Sequence, residues 1–129
     1  MSTISMFSAL AGPARAALAP LTKSSHLTHV SDDTTAMGGP ALRYLMRTGP
    51  HTPGLCALYV APDTTGTYAV MVVPLTRTDD GTGYGKYVHA ANTPPLLPRL
   101  DGLTADEVAD TVTALFERGP AEAYIERIA

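Results

Sequence analysis

The sequence predicts a single α+β domain in which an antiparallel sheet is followed by two C-terminal helices. A chain of 129 residues is long enough for one hydrophobic core but too short for two independent ones. Short apolar runs separated by turn residues fill its middle, a pattern typical of antiparallel strands. After Thr104 the apolar residues recur every three or four positions, as in an amphipathic helix.

The first 22 residues are compatible with two structures. Alanine and leucine residues between Ser8 and Leu21 favour a helix, although Gly12 and Pro13 interrupt it. The alternation of apolar residues through Ile4 and Met6 also permits a β-hairpin that turns at Gly12 and Pro13. The residues alone leave both possibilities open.

The predicted strands occupy residues 26–92 and are rich in β-branched and aromatic residues. They cover 26–31, 41–48, 54–61, 67–75 and 84–92. The segment from Pro62 to Gly66 is a predicted hairpin turn. Three prolines, Pro94, Pro95 and Pro98, predict that regular pairing ends before the helical region.

The helical region is predicted over 104–129. Thr104 and Glu107 have the spacing of a capping box, and Gly119 with Pro120 ends the first helix. A second, short helix is predicted from Ala121 to the C-terminus. The apolar stripes of the two helices contain Val108, Val112, Leu115 and Phe116, and then Tyr124, Ile125 and Ile128.

The predicted strand from Tyr68 to Val73 is apolar on both faces, so both faces of the sheet need cover. A helix of about 14 residues is only about 21 Å long, too short to cover five strands. A second copy that exchanges helices would supply the cover. The predicted dimer interface is Val108, Val112, Leu115, Phe116, Tyr124 and Ile125. The alternative is that a helical N-terminal segment covers the sheet within one chain.

Composition excludes several classes of function. A net charge of −3 argues against a protein that binds nucleic acid mainly through a strongly basic surface. The single cysteine, Cys56, excludes an intrachain disulfide and is predicted to be a buried apolar residue. His26 and His29 lie on opposite faces of their predicted strand, so they do not form a metal site. No set of nucleophile, base and oxyanion donors is visible, and neither a cofactor nor a metal is expected.

Three segments resemble the coat proteins of single-stranded RNA bacteriophages, the levivirus type. They are residues 103–129 (LTADEVADTVTALFERGPAEAYIERIA), 67–77 (TYAVMVVPLTR) and 84–90 (YGKYVHA). These segments lie mostly in the C-terminal half, whereas residues 1–40 match only in length and turn placement. The resemblance implies an N-terminal hairpin at 1–22, a five-stranded sheet, and two C-terminal helices lying over the sheet of a dimer partner.

The same resemblance implies a structural protein rather than an enzyme. The chain would form a homodimer, assemble into an icosahedral shell in the cytoplasm of a bacterial host, and package single-stranded RNA in the virion. It would also repress translation if it binds an RNA hairpin. No membrane and no small-molecule substrate are implied.

RNA contact in that family comes from the inner face of the sheet. Tyr87 and His89 match the aromatic and polar positions of one contacting strand, and Arg43 and Arg47 share a face from which they could reach phosphate. The alternative for the arginines is a solvated strand face, and for Tyr87 a packed cross-strand aromatic.

Two positions depart from the family pattern. Ala69 and Met71 stand where the family often carries Thr and Lys, which favours nonspecific packaging over recognition of one hairpin.

Two other functions remain open on the sequence. One is a small dimeric α+β bacterial binding or adaptor module, and the other is a small enzyme with a pocket between sheet and helices. The N-terminus separates the first from the coat protein, because a hairpin favours the coat and a helix favours the module.

Overall fold

The structure, a computed structural model, has two layers: an antiparallel sheet and a layer of helices on one of its faces. It describes residues 3–23, 27–35, 39–47, 55–79, 85–89 and 93–128. The helices are α1 (Thr3–Leu18), α2 (Ala105–Arg118) and α3 (Pro120–Ile128), with a 3-10 turn at Ala19–Lys23. The strands are β1 (Leu27–Thr35), β2 (Pro40–Met46), β3 (Cys56–Pro62), β4 (Tyr68–Asp79), β5 (Gly85–His89) and β6 (Leu97–Leu103). The predicted α+β class is confirmed, and within the described ranges no helix is long and apolar enough to cross a membrane.

The sheet has six strands but is only five strands wide, because β5 and β6 both pair with β4. The order is β1-β2-β3-β4-β5, with β6 also pairing with β4. Residues Leu75–Asp79 pair with β5, and Tyr68–Val72 pair with β6. Pro74 lies at the break between the two pairings. The amide of Leu75 donates to the carbonyl of Leu55 at 2.9 Å, on the side of β3. The nitrogen of Pro74 therefore points the other way, into the break between β5 and β6. Proline has no N–H, and at this position none is needed for a ladder hydrogen bond.

The N-terminal segment is helix α1, so the hairpin predicted for 1–22 is wrong. Its inner face has the spacing of a helix and is buried at Phe7, Ala11, Ala14 and Leu18. Pro13 lies on the exposed side of α1, where the carbonyl of Ala9 that it leaves unbonded is also exposed to water. The hydroxyl of Tyr68 donates to the carbonyl of Leu10 at 2.7 Å, which ties α1 to the sheet.

Strand β6 lies in the region where regular pairing was predicted to fail. Tyr68, Val70 and Val72 pair with Leu103, Leu100 and Leu97, so two residues of β4 are matched by three of β6 at each step. Each step therefore contains a β-bulge. Because of the bulges, every third residue of β6 is buried instead of every second. The sequence of β6 therefore lacks the alternation of apolar and polar residues that predicts a strand.

The stripe of α2 is buried inside its own chain. Val108, Val112 and Leu115 have no exposed surface, and they share one core with α1 and the sheet. Phe116 and Tyr124 are partly buried against the same core. In the single chain these residues pack against their own sheet, where α1 supplies the cover that one helix could not. Their role in a dimer interface stays a prediction.

The structure contains the predicted turn between β3 and β4 and the predicted start and end of α2. The backbone of Asp63–Gly66 makes the β3–β4 turn, in which Gly66 adopts a φ of +85°. The capping box of Thr104 and Glu107 begins α2. Gly119 ends α2 with a φ of +96°, and its amide donates to the carbonyls of Ala114 and Leu115.

Candidate binding surface

In the part of the chain that the structure describes, no helix lies on one face of the sheet, and we call this the helix-free face. Its residues alternate with the core residues along β2, β3 and β4. They are Ala41, Arg43, Leu45, Ala57, Tyr59, Ala61, Ala69, Met71, Val73 and Leu75. Among these residues Arg43 alone is charged, so this face is apolar over residues 41–45, 57–61 and 69–75 apart from Arg43.

The middle of the helix-free face is closely packed and its border is half-buried. Five of its ten residues are at most 8% exposed, namely Ala41, Ala57, Tyr59, Ala69 and Val73. Leu45, Met71 and Leu75 keep part of their surface accessible. Four of the ten positions are alanine, so few side chains project far from the sheet. The apolar surface that a partner could contact is therefore the half-buried border.

Arg43 lies within this surface, opposite Tyr59, which in turn lies opposite Met71. The Nε of Arg43 is buried and has no hydrogen-bond partner within the described residues. A buried donor without an acceptor costs about 1–3 kcal/mol, so an acceptor on a bound partner would be stabilising here.

The structure brings three of the four predicted RNA-contact positions to the helix-free face. His89 pairs with Leu75, and Tyr87 follows two positions away on the same face of β5. Arg43 lies on the same face but in β2, three strand spacings or about 14 Å from β5. Arg47 follows the end of β2 and is exposed.

Charge is separated between the two layers. The sequence of α2 and α3 carries six acidic and two basic residues, whereas residues 1–104 carry seven basic and six acidic ones. The acidic residues are Asp106, Glu107, Asp110, Glu117, Glu122 and Glu126. Helices α2 and α3 are therefore the acidic part of the molecule, and the helix-free face with Arg43 lies on the other side of the sheet.

Part of that acidic charge holds α3 against α2. Arg118 donates to both carboxylate oxygens of Glu126 at 2.7 and 3.1 Å, and Arg127 donates to Glu107 at 3.3 Å. Hydrogen bonds from the backbone and hydroxyl of Thr104 lower the pKa of Glu107, and the bond from Arg118 lowers the pKa of Glu126. Both carboxylates therefore take part in contacts between α2 and α3.

The outer side of α3 leaves two large apolar side chains in water. Ile125 is 51% exposed and Ile128 is 59% exposed. Ile125 is the member of the predicted dimer interface that the single chain leaves most accessible. Two isolated side chains are fewer than a stable protein interface requires.

A cleft of about 280 Å³ opens at the end of the sheet where the β3–β4 turn lies. We call it the turn-end cleft. Its apolar wall includes Pro40, Ala61 and Ala69, and its charged lining consists of Asp63, Arg99 and Asp101. The Nε of Arg99 donates to Asp101 at 2.9 Å. Sequence reasoning missed Arg99 and Asp101 because both lie in β6, and only the two Leu-x-x-Leu steps of that strand could have indicated it.

Other side chains with possible chemistry are not assembled into a site. Cys56 is buried in the core, as predicted, and burial raises the pKa of its thiol. The ring of His29 lies 5.1 Å from that of Tyr44, while His26 falls outside the described residues. In the part of the chain that the structure describes, no three His, Cys, Asp or Glu side chains come together as metal ligands.

No family model, curated protein or solved structure was found to match the chain.

Proposed function

We propose that the chain is a small α+β binding module that forms a homodimer, with the helix-free face as its contact surface. The observation that carries this proposal is helix α1. Because α1 and α2 together cover one face of the sheet, the chain does not need helices from a partner to complete its core. A helical N-terminus is also the feature that favours a module over a coat protein.

A second copy suits the helix-free face for two reasons. Sheets that pack face to face bury flat apolar surfaces about 10 Å apart, and the alanines at 41, 57, 61 and 69 permit such an approach. The apolar border at Leu45, Met71 and Leu75 would lose its remaining contact with water. A contact of this kind brings the same patch of both copies together, as a two-fold dimer requires.

A coat protein is the second candidate, and one observation favours it. The positions of Arg43, Tyr87 and His89 share the helix-free face, opposite the acidic helices. That is the distribution of charge that RNA on the inner face of a shell would need. Against it, α1 replaces the expected hairpin, and the stripe of α2 is already buried in its own chain.

The two candidates differ in the size of the particle. The full chain is expressed alone in bacteria and analysed by size-exclusion chromatography with light scattering, and any void fraction is imaged by electron microscopy. The binding module predicts a dimer of twice the 13.5 kDa chain mass without nucleic acid. Uniform hollow particles with nucleic-acid absorbance would overturn the module and support the coat protein.

Two charge substitutions locate the contact between copies. Met71→Glu places a carboxylate on the helix-free face, and Ile125→Glu places one on the outer side of α3. The proposal predicts that Met71→Glu converts the dimer to a folded monomer, as monitored by light scattering and circular dichroism, while Ile125→Glu leaves it intact. Dissociation by Ile125→Glu alone would instead locate the interface on the helices.

A further inference from the structure

The turn-end cleft has the size of a site for one side chain. Its volume of about 280 Å³ lies just below the range of about 300–1,000 Å³ that is usual for small-molecule sites. It opens beside the helix-free face, since Ala61 and Ala69 belong to both. A partner seated on that face could therefore insert a single side chain into the cleft.

The charges of the cleft favour a cation. Asp63 and Asp101 face one basic residue, Arg99, so the lining has an excess of one negative charge. The Nε of Arg99 already donates to Asp101, which offsets part of the attraction that an anion would meet. An anionic ligand would also lie near two carboxylates, whereas an ammonium or guanidinium group would be attracted by both.

Each carboxylate keeps an oxygen for a ligand. The Oδ1 of Asp63 accepts from the hydroxyl of Thr64 at 3.2 Å and from the amide of Thr65 at 3.4 Å. The Oδ1 of Asp101, whose side chain is 66% exposed, accepts from Arg99. Within the described residues, the Oδ2 of each carboxylate makes no hydrogen bond. Each Oδ2 is therefore an available acceptor at the cleft.

The apolar wall fits the remainder of such a side chain. Lys and Arg carry a long hydrocarbon stem below the charged group, and the stem packs well on apolar surface. Pro40, Ala61 and Ala69 provide that surface next to the carboxylates. The position of the Arg99–Asp101 ion pair in β6 depends on the bulges, which allow both residues to project at the rim while Leu97, Leu100 and Leu103 remain buried.

We propose that the turn-end cleft binds one basic side chain, an Arg or Lys, of a partner protein. This inference rests on the proposed function as a binding module and names the chemistry that the partner presents. The contact works as a small anchor beside a larger apolar interface, which is how a buried side chain commonly fixes the register of a complex.

The test is an NMR titration of the isotope-labelled full chain with N-acetyl-arginine methylamide. The control ligand is the corresponding citrulline amide, which has nearly the same shape and no charge. Saturable shifts at Ala61, Asp63, Ala69 and Asp101 with the arginine compound, and much weaker ones with citrulline, are expected. Equal shifts with both compounds, or none at the cleft, would overturn the proposal.

A matched pair of variants tests the role of the carboxylate. Asp101→Asn keeps the size and one oxygen of an exposed side chain, and it should weaken binding of the arginine compound about two- to fivefold, as for an exposed ion pair. Asp110→Asn removes the same charge from the outer side of α2 and should leave the affinity unchanged. If both variants weaken binding equally, the attraction comes from net charge and the cleft is not the site.

This titration is independent of the light-scattering experiment. A dimer that fails to bind the arginine compound would support the binding module and overturn the proposed role of the cleft. A shell-forming protein that binds the compound would support the role of the cleft and overturn the binding module.

Discussion

The two faces of the sheet are both apolar, yet the helices that the structure describes cover only one of them. On β4 the covered face carries Tyr68, Val70 and Val72, and the helix-free face carries Ala69, Met71 and Val73. Across the three central strands, four of the ten helix-free positions are alanine, whereas the buried residues of these strands on the covered face include no alanine. The difference is one of volume, because long side chains interdigitate with helices and short ones leave a flat surface.

The largest expected effect comes from shortening the same residue type on each face of β2. Leu42 has no exposed surface and lies under the helices, whereas Leu45 is half-buried on the helix-free face. Leu42→Ala should lower the free energy of unfolding by about 2–5 kcal/mol, since it leaves a cavity in the core. Leu45→Ala should cost at most about 1 kcal/mol, because less apolar surface is lost.

Urea unfolding of the two variants at low protein concentration gives both values. Equal losses would mean that the helix-free face is as tightly packed as the covered one. If the protein dimerises through the helix-free face, the loss of unfolding free energy in Leu45→Ala should grow with protein concentration. At high concentration the contact between the two copies also contributes to the measured stability.

The next effect concerns how α1 is held on the covered face. Tyr68→Phe removes the hydroxyl that bonds to the carbonyl of Leu10, and it should cost about 1–1.5 kcal/mol in the free energy of unfolding. Tyr124→Phe is a suitable control because the hydroxyl of Tyr124 makes no such bond within the described residues. Similar losses in the two variants would show that the bond to α1 contributes nothing specific.

A smaller effect is expected where α2 begins. Thr104→Ala removes the hydroxyl that accepts from the amide of Glu107 at 3.2 Å, and it should cost about 1 kcal/mol. Thr104→Ser keeps the hydroxyl and should cost much less. Thermal unfolding of the two variants separates the hydrogen bond from the lost methyl group. A serine variant as unstable as the alanine variant would contradict the role of the cap.

The smallest effect is a dependence on pH at the corner between α2 and α3. The pKa values of Glu107 and Glu126 lie below their ordinary value of 4.5. Their contribution to stability is therefore present above about pH 4.5 and is lost as the pH falls through the lowered pKa values. The urea midpoint should decrease on acidification in this range, and Glu126→Gln should flatten the decrease more than Glu122→Gln. An unchanged slope in Glu126→Gln would show that its contact with Arg118 is lost in water.

The elements with strong local signals were predictable from the sequence. The capping box, apolar stripe and terminal glycine of α2 lie within 16 residues and determine the helix without reference to the rest of the chain. Strands β2, β3 and β4 follow from their composition and from the turn at Asp63–Gly66. In the candidate site, Arg43 was found because its strand was identified.

The N-terminus required information from the rest of the chain. Helix propensity and apolar alternation pointed in different directions over the first 22 residues, and the family resemblance favoured the hairpin. The helix prevails because its face at Phe7, Ala11, Ala14 and Leu18 buries against β2 and β3, while α2 packs on β4 and β6. A proline in the middle is tolerated because it faces water.

The sequence by itself determined the α+β class, the two C-terminal helices and the central strands, because caps, turns and apolar periods act over a few residues. Only the tertiary structure decided that α1 covers the sheet, that β6 continues its edge, and that Asp63 and Asp101 line one cleft. These features depend on contacts between distant segments, such as Tyr68 with Leu10, and on bulges that no fixed period reveals.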